Sequence, residues 1–355
     1  MDQRLTRLRT RMEEQGLEAL LVMRPENRYY LSGFTGSNGY LLVKRDETVL
    51  LTDGRYTTQA QEQAPHCRVV TAQGLAPGLR ELLEQTGVKQ LGFEKDFVTY
   101  EQFTIFSELL SGVELVPTSG LVEGLRIVKD EGELAILRKA ANIADAAFAH
   151  ILGFMKPGMS ELEVSLELET FMRKQGAKSS SFEIIVASGH RSALPHGKAS
   201  EKVLEHGDFV TLDFGAYYQG YCSDLTRTVV LGEVSEKQRE IYEIVREAQE
   251  HAVAMIKAGL TGIQADKLAR DIIAAKGYGE QFSHTLGHGL GLAVHEAPSL
   301  SIRGDHVLQP GMVVTVEPGI YLPNFGGVRI EDDIVITEHG NEVLTQSPKE
   351  LIIVG

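Results

Sequence analysis

Asp213, Asp224, His288, Glu317 and Glu331 follow one another through the C-terminal part of the chain, each on a hydrophobic run or in a glycine-tight turn. Carboxylates in such surroundings make poor core residues, because burying one unpaired costs several kcal/mol or forces it to take up a proton. Divalent cations remove the difficulty: two of them cancel the charge of four carboxylates. Hard oxygen ligands with a single imidazole suit Mn(II), Co(II), Fe(II) or Zn(II), with Mn(II) the first expectation. Two such ions about 3.5 to 4 Å apart lower the pKa of a shared water towards 7, which is the chemistry of metal-assisted hydrolysis. In that arrangement one carboxylate from each pair bridges the ions, and the remaining pair and the histidine hold one ion each.

Something rigid must bring these residues together, and the sequence contains a candidate. Met155-Lys156-Pro157-Gly158-Met159-Ser160 matches Ile256-Lys257-Ala258-Gly259-Leu260-Thr261 at an offset of 101, and Gly176 matches Gly277 at the same offset. The run GDFVTLDFGAYY from Gly207 matches GMVVTVEPGIYL from Gly311 at an offset of 104, setting Asp213 against Glu317 and Tyr217 against Tyr321. An offset near 100 is too long for a solenoid and points to a duplicated half-domain. Each half reads as helices followed by a strand pair. Ser160 with Glu163 forms a capping box for a helix to about Lys174, and Ser235 with Gln238 caps one ending near Lys257. Asp213 and Asp224 flank a turn at Tyr217 to Gly220, and Glu317 and Glu331 flank one at Pro323 to Gly327. Residues directly opposed on a hairpin share a face with Cβ atoms about 5 Å apart, so each pair can aim two carboxylates at one point.

His288 sits in HTLGHGLGLAVHEAP, where Gly287, Gly289 and Gly291 argue against a helix and for close backbone packing. The glycine spacing is G-x-G-x-G and lacks a Walker lysine, which excludes a nucleotide loop. His295 fits a place beside the metals, gripping substrate. His196, in SGHRSALPHG, precedes it by 99 residues, close to the repeat offset, and suggests a second histidine across the site. No serine lies in a G-x-S-x-G elbow and HEAPS is not H-E-x-x-H, so serine-hydrolase and zincin chemistry are excluded.

The 355 residues suit two domains. The first is expected over residues 1–125, as helix-like segments (Leu5 to Leu17, Thr57 to Glu62, Leu79 to Gln85) alternating with short strands at Glu18 to Met23, Leu41 to Val43, Val49 to Thr52 and Leu91 to Glu94. The second, residues 126–355, begins a long helix after Asp130. The formal net charge of −14, without a dense Lys/Arg run, argues against nucleic acid as a partner. The opening residues lack the apolar core of a signal peptide and no long apolar stretch follows, so neither secretion nor membrane insertion is expected. With two cysteines, Cys67 and Cys222, a disulfide framework is not expected and a reducing cytoplasm fits.

At these residues the chain resembles the creatinase, aminopeptidase P and prolidase branch of the metallopeptidases with the duplicated "pita-bread" fold. TLDFGAYYQGYCSDLTRT, GHGLGLAVHE, VEPGIY, GVRIEDD and IVASGHRSALPHG all match motifs of that family. ENRYYLSGFTGSNGYLLV and LLTDGRYTTQA resemble the branch's N-terminal domain. The resemblance implies an α+β chain, with a pita-bread duplicated α/β catalytic domain behind a smaller creatinase-like α/β domain. It makes Asp213 a chelating ligand of one ion, Asp224 and Glu331 bridges, and His288 and Glu317 ligands of the other, with Glu317 also shuttling the proton. His196 and His295 match the substrate-binding and transition-state-stabilising histidines, and His284 and Arg329 stand behind the ligands or beside the substrate. Phe182 and Ile185 would line a proline pocket. It further implies a homodimer whose N-terminal domain leans over the neighbour's active site.

The activity expected is cleavage of the bond before a proline at the second position of a peptide. Related prolidases often carry an arginine where this chain has Ser299, which tilts the expectation to an Xaa-Pro aminopeptidase, with an Xaa-Pro dipeptidase as the alternative. A creatinase-like amidinohydrolase and a non-catalytic binding protein are more remote, since no ligand is missing.

Overall fold

The computed structural model describes residues 2–355, which form two compact units dividing between Arg126 and Ile127. The first is built on a six-stranded sheet in the order Arg68–Thr71, Thr48–Thr52, Gly39–Lys44, Ala19–Val22, Gln90–Glu94, Glu114–Thr118. The strands are mixed in direction: Ala19–Val22 runs antiparallel to Gly39–Lys44 on one side and parallel to Gln90–Glu94 on the other. Ala19, Leu21, Leu42, Leu51 and Leu91 share a core cluster with Leu79, Leu82 and Leu83 of the helix Leu75–Thr86. The opening helix stops at Glu14 although apolar spacing continues to Leu17. Gly16 adopts φ +69° and the Leu17 N–H returns to the Met12 carbonyl, so Leu17 packs from beyond the helix end. The outer strands Arg68–Thr71 and Glu114–Thr118, and the helices Pro25–Ser32 and Tyr100–Leu109, add to what periodicity predicts.

In the second unit the duplication is physical. The helices Glu131–Phe154 and Glu161–Lys174 cover a four-stranded sheet ordered Ile353–Val354, Leu225–Leu231, Phe209–Phe214, Ile185–Ser188. Their counterparts Glu236–Met255 and Gly262–Ala275 cover a five-stranded sheet ordered Glu296–Leu300, Gly287–Gly289, Val313–Val316, Asp332–Ile336, Asn341–Val343. Capping boxes open all four helices, from Asp130, Ser160, Ser235 and Thr261. The turns repeat as well. Gly158 and Gly259 take φ +93° and +90°, values that favour glycine, and each donates its N–H to an equivalent leucine carbonyl, Leu204 or Leu308. Among the described residues no helix is long and apolar enough to cross a membrane.

Candidate metal centre and substrate cavity

Asp213 lies on the strand Phe209–Phe214, while Asp224, Glu317 and Glu331 each stand directly beside a strand end, and the registers of the two pairs differ. Asp213 is paired with Thr226, and the hairpin beyond pairs Tyr217 with Cys222. That alignment sets Asp224 opposite Gly215, so Asp213 and Asp224 share a face as diagonal neighbours and not as the directly opposed pair expected. Gly215 permits this closeness: a Cβ there would stand 1.7 Å from the Ser223 carbonyl oxygen. In the second half Val316 pairs with Asp332 and Gly319 with Arg329, which brings Glu317 directly opposite Glu331.

Asp213, Asp224 and Glu331 are buried, at 8 %, 5 % and 2 % exposure. One oxygen each of Asp224 and Glu331 and a ring nitrogen of His288 all lie within 4.8 Å of one another, a grouping able to hold a cation. His288 enters on the strand Gly287–Gly289, whose glycines are required by close packing. A Cβ on Gly287 would meet the Thr315 oxygen at 2.0 Å, and one on Gly289 the Ala297 oxygen at 2.1 Å.

The histidine's protonation follows from its neighbours. Its Nδ1 lies 3.1 Å from the Gly289 carbonyl, which only accepts, so Nδ1 carries the proton of the neutral ring. Nε2 then presents a lone pair to Glu317 Oε1 at 3.4 Å and Asp224 Oδ2 at 3.7 Å. Lone pairs facing carboxylate oxygens repel unless a cation lies between them. Burial lowers the His288 pKa, so the ring favours its neutral, ligating form. Burial, followed by the neighbouring carboxylates, pushes Asp224 and Glu331 well above the usual range. Burial likewise raises Glu317 to about 7. The buried Oδ1 atoms of Asp213 and Asp224 have no hydrogen-bond partner among the described residues. Orphaned acceptors, a deprotonated imidazole nitrogen and mutually repelling carboxylates are what divalent cations satisfy, so this donor set fits them.

Hydroxyl and guanidinium donors hold the ligands in place. Thr226 Oγ1 donates to Glu331 Oε2 at 2.5 Å, and Thr315 Oγ1 to Glu317 Oε1 at 3.0 Å. Arg329, itself 3 % exposed, donates to Asp213 Oδ2, the Tyr321 hydroxyl, Thr226 Oγ1 and the Pro195 carbonyl. Tyr321 completes a relay that residue spacing alone does not reveal. His284 Nδ1 donates to the Thr285 carbonyl, leaving Nε2 to accept from the Tyr321 hydroxyl at 2.9 Å. Burial, then the Arg329 charge, lowers the His284 pKa to about 3 and keeps it neutral. The match of Tyr321 with Tyr217 across the repeat marked the residue without its role. Thr226 and Thr315 are not singled out by sequence spacing, although strand alternation offers the signal, each standing two positions from a carboxylate on the same face.

These groups open onto a cavity of about 500 Å³, also lined by Phe182, Glu183, Ile185, Pro195, His196, Lys198, Val294 and His295. All of the site residues expected from sequence therefore come together. The His295 ring lies edge-on to His288 with centroids 4.4 Å apart. Burial, then the proximity of His288 and His196, lowers the His295 pKa. Ser299, by contrast, is exposed, paired with His288 across the strand edge and not among the lining residues.

Comparison with known proteins bears on what this cavity does. The structure aligns with an Xaa-Pro dipeptidase from Bacillus anthracis at 57 % identity and a TM-score of 0.97, covering 99 % of both chains. An Xaa-Pro dipeptidase from Pyrococcus furiosus is 42 % identical over 99 % of this chain and all of its own. An X-Pro aminopeptidase from Thermotoga maritima is also 42 % identical, with a TM-score of 0.91 over 97 % of this chain and all of its own. The dipeptidase at 57 % identity, with a second at 42 %, overturns the expectation of an aminopeptidase. Its physical basis was weak: an arginine missing at an exposed position outside the cavity removes one way of holding a carboxylate, not every way. Residues 4–128 match the creatinase/prolidase N-terminal domain and residues 135–338 match metallopeptidase family M24. A duplicated pita-bread unit that gathers these carboxylates and His288 is thus accounted for, and the chain belongs to metallopeptidase family M24, a family of enzymes dependent on divalent metal ions.

Proposed function

We propose that the protein is an Xaa-Pro dipeptidase, which hydrolyses the bond between a first residue and a C-terminal proline. The observation that carries this reading is the meeting, in one cavity, of the carboxylate and His288 cluster with His196, His295 and an apolar patch of Phe182, Ile185 and Pro195. Asp213, Asp224, His288, Glu317 and Glu331 would hold two divalent ions, with Mn(II) the preferred ion and Co(II), Fe(II) or Zn(II) able to substitute. When bound, such ions supply Lewis acidity and a water ionised near neutral pH.

The chain's own residues do the rest. Phe182, Ile185 and Pro195 pack the pyrrolidine ring and place the scissile carbonyl beside the carboxylates. Glu317 takes a proton from the attacking water and delivers it to the prolyl nitrogen as the C–N bond breaks, so one water is added and none of the charge is left over. His196 and His295 hold the developing oxyanion, with proton donation from their ring N–H groups. Arg329 fixes Asp213 and, through Tyr321, the neutral His284 on the substrate side.

A homodimer acting in the cytoplasm accompanies this reading, in keeping with free cysteines at 67 and 222. The test is to chelate the protein, restore Mn, Co or Zn separately, and offer Xaa-Pro dipeptides, Xaa-Pro-Yaa tripeptides and Met-Ala controls. Release of proline from the dipeptides with at least one metal is expected. Inactivity on every dipeptide with every metal overturns the reading.

A further inference from the structure

We propose that Lys198 is the group that receives the substrate's free carboxylate, and so selects dipeptides over longer peptides. The inference rests on the dipeptidase reading, because only a substrate ending at proline carries a carboxylate on the ring that enters the cavity.

Lys198 and Arg329 are the permanently cationic side chains among the residues lining the cavity. Arg329 is committed: its donors already reach Thr226, Tyr321, Asp213 and Pro195, and it is buried. Lys198 is not committed in that way. Its backbone is fixed, with its N–H on the His196 carbonyl at 2.9 Å, its carbonyl accepting from Arg191 at 2.6 Å, and an antiparallel bridge to Ile185. The stem therefore leaves a rigid frame between a residue of the apolar patch and one of the oxyanion histidines. The head is less enclosed. Its side chain is 63 % exposed and ion-paired with Glu183, itself 66 % exposed.

An exposed pair of this kind contributes little, so an incoming carboxylate can share or displace it. Glu183 then has a definite part: with no substrate it holds the ammonium at the cavity rim, and with substrate bound it is a like charge beside the carboxylate. The two residues should act in opposite directions on affinity. Ser299, exposed and away from the lining, leaves this task open.

The experiment compares Xaa-Pro with its C-terminal amide, Xaa-Pro-NH2, in the metal-loaded enzyme. Lys198→Ala should lower the ratio of kcat/KM for the acid to that for the amide roughly tenfold, mainly through KM, as expected for a lost charge-assisted hydrogen bond at a partly exposed site. Lys198→Arg should keep most of that ratio, and Glu183→Gln should raise it. The KM of the wild type for the acid should rise with ionic strength while that of Lys198→Ala stays flat, since the attraction is screened. An unchanged ratio in a Lys198→Ala enzyme that still cleaves dipeptides overturns the role of Lys198 alone. A wild-type enzyme that ignores dipeptides overturns the dipeptidase reading and this assignment with it.

Discussion

The two halves of the catalytic unit share a scaffold and differ where the chemistry is. Both run capped helix, left-handed glycine, capped helix and strand pair, with Gly176 and Gly277 at φ +103° and +87° ending equivalent helices. Yet one hairpin sets two short aspartates diagonally, and the other sets two longer glutamates directly across from each other. The imidazole comes from the second half only. A duplicated frame with unequal side chains would give bound cations unlike surroundings, with the imidazole and the longer carboxylates on one side and the aspartates on the other.

The sharpest way to break the comparison is at the aspartate set diagonally. Asp224→Asn removes charge where His288 and Glu331 converge, and should empty the centre and abolish turnover, by more than the roughly 10²–10³-fold lost with one oxyanion donor. A variant found fully loaded by elemental analysis and still active would show that Asp224 is not shared by both halves. His295→Ala tests the histidine packed against His288. Metal content should stay normal while kcat falls about 10²–10³-fold; a normal kcat would remove His295 from the mechanism.

A smaller effect concerns charge without metal. Burial raises the folded-state pKa of Glu317 from an ordinary 4.5 to about 7, and raises Asp224 and Glu331 as well. In that range these carboxylates bind more protons in the folded chain than in the unfolded one, so their contribution to stability is full below about pH 4.5 and falls as pH rises through 7. For Glu317 the loss is on the order of 3 kcal/mol. Burial lowers the pKa of His284, His288 and His295, which adds stability as pH rises, so the Glu317 share is read by difference: in chelator, Glu317→Gln should gain in Tm relative to the wild type between about pH 5 and about pH 7.5. The same difference between variant and wild type at both pH values would mean that the Glu317 carboxylate is not destabilised as its burial implies.

Much of this was legible in the sequence because the repeat carries its own register. Aligning Asp213 with Glu317 marked both hairpins, and the capping signatures at Ser160 and Ser235 depend on residues three apart, which no distant contact disturbs. The diagonal placement of Asp224 was not legible, because it depends on how near Gly215 allows Ser223 to come. The Arg329–Tyr321–His284 relay was hidden for a similar reason: its bonded partners lie only 8 and 37 residues apart, but a period-2 pattern says which face a residue shares and not which donor it finds. Ser299 misled because a strand position read without its register does not say whether it meets the cavity.

The least disruptive test asks whether the shared frame is loaded equally in the two halves. Ser160 accepts from the Glu163 N–H and Thr261 from the Gln264 N–H, both at 3.2 Å, and each residue's own N–H is taken by the partner side chain. Replacing either hydroxyl with hydrogen leaves one helix-terminal N–H without its acceptor. Ser160→Ala and Thr261→Ala should therefore cost alike, about 1 kcal/mol, seen as a fall of roughly 2–4 °C in Tm. Their partners separate them with pH. Glu163 is held below its usual pKa by the Ser160 backbone N–H, so its contribution is present above about pH 4.5 and fades as the carboxylate protonates, whereas Gln264 does not titrate. Unequal costs at neutral pH would mean that duplication conserved the shape of the caps but not the load they bear; equal costs that diverge only in acid would place the asymmetry of the two halves in their charges alone.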